Sequence, residues 1–199
     1  YIDVLSEEIN RLNRIVVDFL FAVRPLDSRL RLGQIRRTIE EVSAFARVEL
    51  SEQKIELIEQ IDSYLPRLNF DDNLIKQALL NLIKNAMGAM EKGGTLTLCA
   101  KQAGNSVIVS VKDSGVGISE EAIQKLFEPY FTTKATGTGL GLTMVYKIMK
   151  EHGGDVTVHS QVGKGTTFSL HFPVPAGEHL ALAERADMEG AYETHDTDR

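Results

Sequence analysis

The stretch Asp71–Gly94 reads DDNLIKQALLNLIKNAMGAMEKGG. Leu74, Ala78, Leu79, Leu82, Ile83 and Ala86 fall at helical spacing, so the segment predicts a helix with one buried face. Asp71 or Asp72 supplies the N-cap, and Gly93-Gly94 ends the helix after about Glu91. A second stripe on the same wheel is polar: Gln77, Asn81, Lys84, Asn85 and Gly88. Asn81 and Asn85 stand four apart and stack on one face. Asparagine is a poor helix former, so a pair of them needs a reason. One reason is metal binding, because a neutral amide oxygen suits Mg²⁺ when phosphates supply the negative charge. The other is a plain solvated face.

The same reading extends outward in both directions. Ile2, Leu5, Ile9, Leu12, Val16, Phe19 and Val23 step alternately by three and four residues, a heptad seam that Pro25 stops. Ile15, Val17 and Leu20 broaden it toward a bundle helix, with an ordinary core helix as the alternative. A linker-like stretch spans Pro25–Gly33, a helix Gln34–Leu50 and a strand Lys54–Ile61. Beyond the asparagine helix come strands Thr95–Lys101 and Val107–Lys112, joined at Gly104-Asn105. Ser119 caps a short helix Glu120–Phe127, followed by the Thr/Gly/Pro-rich loop Glu128–Thr138 and a helix Leu140–His152. Strands Asp155–Ser160 and Thr166–Phe172 close the pattern, and the acidic Ala176–Arg199 reads as a mobile tail. Helices and strands mix without regular βαβ alternation. The expected fold class is therefore α+β: a two-layer sandwich with a mixed sheet covered by helices on one face, preceded by a bundle or coiled-coil helix. The expected domains are 1–25, 26–175 and 176–199.

Composition narrows the function classes. The 199 residues are 43% hydrophobic and 25% charged, as in a soluble globular chain. Asp and Glu number 28 against 22 Lys and Arg, a net charge of -6, which argues against nucleic acid or anionic lipid as partner. The single Cys99 excludes a disulfide framework and a cysteine zinc cluster and fits a reducing, cytoplasmic compartment. No apolar run reaches the roughly 18 residues of a membrane span. A chain that opens at Tyr1 directly in a helical pattern reads as part of something larger.

Two glycine clusters accompany the asparagines. Asp113-Ser114-Gly115-Val116-Gly117 ends a strand, where a carboxylate can accept from the exocyclic amine of adenine; D-x-G-x-G is also a plausible turn. Gly137-Thr138-Gly139-Leu140-Gly141-Leu142 opens a helix, leaving amide donors at its positive end, a phosphate site or a flexible start to the helix. It is neither a Walker A loop nor a dinucleotide fingerprint. Gly163-Lys164-Gly165-Thr166 forms a tight turn before the last strand.

Taken in order, these stretches resemble the sensor histidine kinases of two-component signalling. NLIKNA matches their N box, DSGVGI the first glycine box, FEPYF the F box, GTGLGL the second glycine box and GKGT the third glycine turn. The match runs from Asn81 to Phe172, and Glu8–Pro25 looks like the second helix of the family's dimerisation and phosphotransfer bundle. The run Phe131-Thr132-Thr133-Lys134 resembles the nitrogen-regulator-like branch.

The resemblance implies a fold shared with DNA gyrase, MutL and a heat-shock chaperone, binding ATP and Mg²⁺. Asn85 would hold the metal with Asn81 assisting. Asp113 would select adenine, helped by Gly115, Gly117 and the hydroxyl of Thr166 or Thr167. Amides around Thr138, Gly139, Leu140 and Gly141 would hold phosphates, and Lys84 and Lys134 are candidates to neutralise their charge. Phe127 and Phe131 would latch the lid Glu128–Thr138 or pack in the core. Related ATPases place a glutamate at the Asn81 position; an amide cannot act as a general base, so hydrolysis should be slow. The implied partners are a histidine-bearing bundle preceding Tyr1, a response-regulator receiver domain and a second copy of the parent. His152, His159 and His171 lack the acidic residue and proline that follow the family's phosphoacceptor and read as structural or surface residues. His179 and His195 fall in the tail.

Overall fold

The computed structural model describes residues 27–132 and 138–178. The expected bundle helix, Lys134, Gly137, His179 and His195 lie outside these residues.

Among the described residues eleven elements follow in order: β1 (Arg31–Gly33), α1 (Ile35–Glu52), β2 (Ile55–Ile61), β3 (Leu68–Phe70), α2 (Asp72–Ala89), β4 (Gly94–Ala103), β5 (Ser106–Asp113), α3 (Glu120–Ile123), α4 (Gly141–Glu151), β6 (Asp155–Gln161) and β7 (Gly165–Pro173). Five strands form one mixed sheet in the order β2-β4-β5-β7-β6. Only β2 and β4 run parallel, and the crossover joining them carries α2.

Strand alternation fixes which face the helices cover. Leu96 and Leu98 of β4, Val107, Val109 and Val111 of β5, and Phe168, Leu170 and Phe172 of β7 are buried. Their neighbours Thr97, Cys99, Ser110, Thr167 and Ser169 are half-buried on the other face. Onto the apolar face pack Ile35, Ile39, Val42 and Leu50 of α1, Ile75, Leu79, Leu82 and Ile83 of α2, and Met144, Val145 and Ile148 of α4. Each such large side chain stabilises the fold by about 1.5–3 kcal/mol when fully buried. At the sheet's open edge, Glu59 of β2 accepts from the buried Ser43 hydroxyl and pairs with Arg47 at 2.9 Å.

Two local features depart from the pattern. The linker-like stretch contains β1, which pairs antiparallel with β3 in a separate two-stranded sheet. Three residues are too few to show a period, and the pairing is held by Leu68 and Phe70, both buried, with Gly33 lying against the Phe70 ring. The helix expected to reach Phe127 ends as α3 at Ile123. Beyond it, Leu126 N–H and Glu128 N–H donate to carbonyls three residues back, a tightened turn that Pro129 prevents from continuing as α-helix. Among the described residues no helix is long and apolar enough to cross a membrane.

Candidate functional site: a buried carboxylate beside two facing helices

At one end of the sheet, Asp113 closes β5 directly opposite Thr166 of β7. Both are 4% exposed. A buried carboxylate needs donors, and Asp113 Oδ1 accepts from Gly115 N at 2.9 Å and Thr166 N at 3.2 Å. These two bonds orient the carboxylate plane. The Thr166 hydroxyl lies 2.9 Å from Ser160 Oγ, which also donates to Gly165 O and accepts from Ile118 N. Ser160 has one proton and spends it on Gly165, so Thr166 donates to Ser160 and keeps its own lone pairs for another partner. Thr167 sits on the opposite face of the sheet, across from Lys112 and His159. Of the two threonines, only Thr166 stands beside Asp113. Ser160 left no trace in the motifs, because only the β6–β7 register brings it to the site.

The first glycine cluster is wedged between α2 and the β6–β7 turn. Gly115 lies against Ala89, whose carbonyl accepts from Val116 N at 3.1 Å. Gly117 has φ +72°, and a Cβ there would stand 2.2 Å from Gln161 O. Any side chain would collide with backbone, so glycine is required by the protein's own packing.

The second half of the site lies between α2 and α4. Asn81 is half-buried; its Nδ2 donates to Met144 Sδ at 3.4 Å, which turns Oδ1 toward Gly141 in the first turn of α4. Asn85 is also half-buried, one turn further along the same face, whereas Lys84 is exposed on its flank. Among the described residues, no side chain caps α4. Its opening is shaped instead by Leu140, buried at 1% exposure, whose N–H donates to Thr138 Oγ1 at 3.4 Å. Gly139 adopts φ +69° with its Cβ direction only 2.4 Å from the Tyr130 carbonyl carbon. Tyr130 and Gly139 thus bring the two ends of the intervening loop together. Phe127 stacks against Tyr146 of α4 with centroids 5.5 Å apart, and its carbonyl accepts from Thr143 Oγ1; Phe131 packs on the core.

The remaining candidates lie elsewhere. His159 is exposed, His171 bonds Thr157 at 2.8 Å, and His152 is buried at the far end of α4. Burial pushes the Cys99 thiol up, as expected of a packing residue. Among the described residues no group of three or more His, Cys, Asp or Glu could hold a metal.

Comparison with known proteins gives these features a context. Residues 70–176 match the model of the histidine kinase-, DNA gyrase B-, and HSP90-like ATPase family. The chain is 39% identical to the sensor histidine kinase ZraS of Escherichia coli (strain K12) over 171 residues, 86% of this chain and 37% of that protein. It is 36% identical to sporulation kinase E of Bacillus subtilis (strain 168), covering 87% of this chain and 24% of that one. The chain therefore spans well under half the length of these relatives. Among solved structures, full-length ShkA in complex with AMPPNP aligns with TM-score 0.78 and 28% identity over 87% of this chain and 38% of that one. Histidine kinase ThkA in complex with response regulator TrrA aligns with TM-score 0.74 and 29% identity over 88% and 51%.

Proposed function

The chain belongs to the family of histidine kinase-, DNA gyrase B- and HSP90-like ATPases, and from that premise we propose that it is the ATP-binding catalytic region of a sensor histidine kinase. It would transfer the γ-phosphoryl group of Mg-ATP to a histidine on a helical bundle, for relay to an aspartate of a response regulator. The observation that carries the reading is the convergence of the oriented Asp113 carboxylate, the Asn81/Asn85 face and the uncapped first turn of α4. The ShkA complex with AMPPNP and the ThkA complex with TrrA support the nucleotide and the regulator respectively.

Each part has a physical role. Asp113 accepts from the adenine amine and Thr166 offers lone pairs beside it through water. Asn85 and Asn81 contribute neutral oxygens to Mg²⁺. Their chemistry fits, since Mg²⁺ takes few protein ligands when phosphates and water complete its shell, and among the described residues no group of three or more His, Cys, Asp or Glu competes for it. Held by these amides, the ion would supply positive charge against the phosphates. Amides of Gly139 and Gly141 at the start of α4 would donate to phosphate oxygens at the positive end of the helix dipole, and that of Leu140 would do so on leaving Thr138 Oγ1. Lys84, exposed on the flank of α2, would supply diffuse positive charge, with Lys134 a second candidate. An imidazole nitrogen of the bundle attacks phosphorus, the bond to the β–γ bridging oxygen breaks, and ADP leaves with that electron pair. Positioning and electrostatics account for most of such a transfer.

Asn81 sets the reaction class. Its amide spends a proton on Met144 and cannot take one from water, so turnover of ATP by this chain alone is slow. The test supplies γ-labelled ATP together with a histidine-bearing bundle from a related sensor kinase. An acid-labile, base-stable label on the bundle is the expected result. Rapid release of inorganic phosphate with an unlabelled bundle would place the chain among the nucleotide-operated clamps of the same fold.

A further inference from the structure

His152 is the one histidine buried among the described residues, 4% exposed, and no step of the proposed reaction uses it. It follows the last residue of α4. Its Nε2 lies 2.9 Å from the backbone nitrogen of Asp71, and its Nδ1 lies 2.6 Å from the carbonyl oxygen of Ile148. The peptide N–H of Asp71 can only donate, so Nε2 must be an unprotonated acceptor. The carbonyl of Ile148 can only accept, so Nδ1 must carry the proton. Backbone chemistry on both sides thus fixes one neutral tautomer.

The position of this ring matters because of what it joins. Asp71 is the N-cap of α2: Oδ1 accepts from Asn73 N and Leu74 N, and Oδ2 accepts from Arg29 N. From there α2 runs about 15 Å to Asn81, which meets α4 again through Met144 and Gly141. The two helices run antiparallel and are tied by side chains at two points, the N-cap of α2 and its middle. One tie lies in the site; the other is His152.

We propose that His152, as the neutral Nδ1–H tautomer, is a positioning residue that sets the register of the metal-binding helix α2 against the phosphate-binding helix α4. The proposal rests on the functional reading above. Distances between metal ligands and phosphate donors depend on how the two helices lie along one another, and small misplacements of such groups weaken the bound state steeply. Apolar packing alone resists a slide poorly; a hydrogen bond with fixed direction resists it well.

The tie is also conditional. An imidazolium would set an N–H against the N–H of Asp71, leaving that donor without an acceptor. The ring borders a cleft of about 310 Å³ lined by Leu30, Asn69, Glu151 and Pro173, so protons reach it without unfolding. The ionisable groups around it are the Asp71 carboxylate of the α2 cap and Glu151 of α4; β3 contributes the neutral Asn69, β7 Pro173 and the segment after it Val174. The bond is therefore present with the ring neutral and lost once Nε2 carries a proton.

Two measurements on the full chain test this. Nitrogen-15 spectra of the imidazoles at pH 7.5 should show His152 protonated at Nδ1 and bare at Nε2; a bare Nδ1 or a charged ring would overturn the proposal. Binding of a non-hydrolysable ATP analogue with Mg²⁺ is then compared at pH 7.5 in wild type, His152→Gln and His152→Leu. The glutamine oxygen can still accept from Asp71, whereas leucine fills the space without an acceptor. His152→Gln should bind within about twofold of wild type, whereas His152→Leu should lose at least fivefold in affinity. Equal affinity of the two variants would reduce His152 to a packing residue and overturn the positioning role. Absence of binding in wild type would overturn the functional reading and that role with it, while the tautomer spectrum would still report whether the tie exists.

Discussion

Replacing Asp113 with Asn would separate folding from recognition at a single group. The asparagine Oδ1 can still accept from Gly115 N and Thr166 N, so the local loop should persist and the thermal midpoint should move by only a few degrees. An amide nitrogen would then occupy the position of the second carboxylate oxygen and oppose the adenine amine, donor to donor. Sites built to accept a hydrogen bond reject a ligand strongly once the pairing is lost. Calorimetric titration should show ATP binding weakened at least tenfold, about 1.4 kcal/mol. Unchanged affinity would remove Asp113 from the adenine pocket. At this scale the sequence displayed residues whose spacing alone is informative: the asparagine pair on one helical stripe, Asp113 and its glycines. It did not display Ser160 or the connection of His152, whose partners Ile118 and Asp71 lie 42 and 81 residues away along the chain. Nor did it show that the close approaches at Gly115 and Gly117 are made by Ala89 and Gln161.

Helix α2 carries the element-scale argument. Burial alone would raise the pKa of its cap, Asp71, but N–H donors from Arg29, Leu74 and Asn73 hold it below the usual carboxylate value. A carboxyl with a lowered folded-state pKa stabilises above its unfolded value, near about 3.9, and that stabilisation is lost as pH falls through the folded value. Asp71→Ala should therefore destabilise the chain by about 1 kcal/mol at pH 7, as read from urea midpoints, and the gap from wild type should narrow below about pH 4. Asp71→Asn, an equally good cap, should recover most of the loss. A gap that stays constant down to pH 2 would contradict the carboxylate's role. Deeper in the same helix, Leu79 is fully buried, and Leu79→Ala should cost about 2–5 kcal/mol. The ion pairs Lys76–Asp72 and Lys76–Glu41 between α2 and α1 are largely exposed, so Lys76→Met should cost less than about 1 kcal/mol. Long periodic helices were legible: the one expected over Gln34–Leu50 is found at Ile35–Glu52. The pair β1–β3 was not, since three-residue strands have no period and are created by tertiary contact at Phe70.

For the whole molecule, the sheet acts as a ruler. Its strands carry Asp113 and Thr166 to one end, and α2 and α4 lie across its apolar face with Asn81 and Gly141 meeting there. The proposed site thus draws on β5, β7, α2 and α4, elements far apart in the chain, and no single motif contains it. The order of motifs announced the architecture, but the pairing of Thr166 rather than Thr167 with Asp113 emerged only from strand register. The central claim is that these elements form one site for a nucleotide with its metal. Calorimetric titration of ATP into wild type and Asn85→Ala, each with and without Mg²⁺, tests it most directly. The account predicts saturable binding to wild type that Mg²⁺ strengthens, and a variant that loses the Mg²⁺-dependent gain while binding metal-free nucleotide as wild type does. Absence of saturable binding, or a gain from Mg²⁺ that survives in Asn85→Ala, would contradict it.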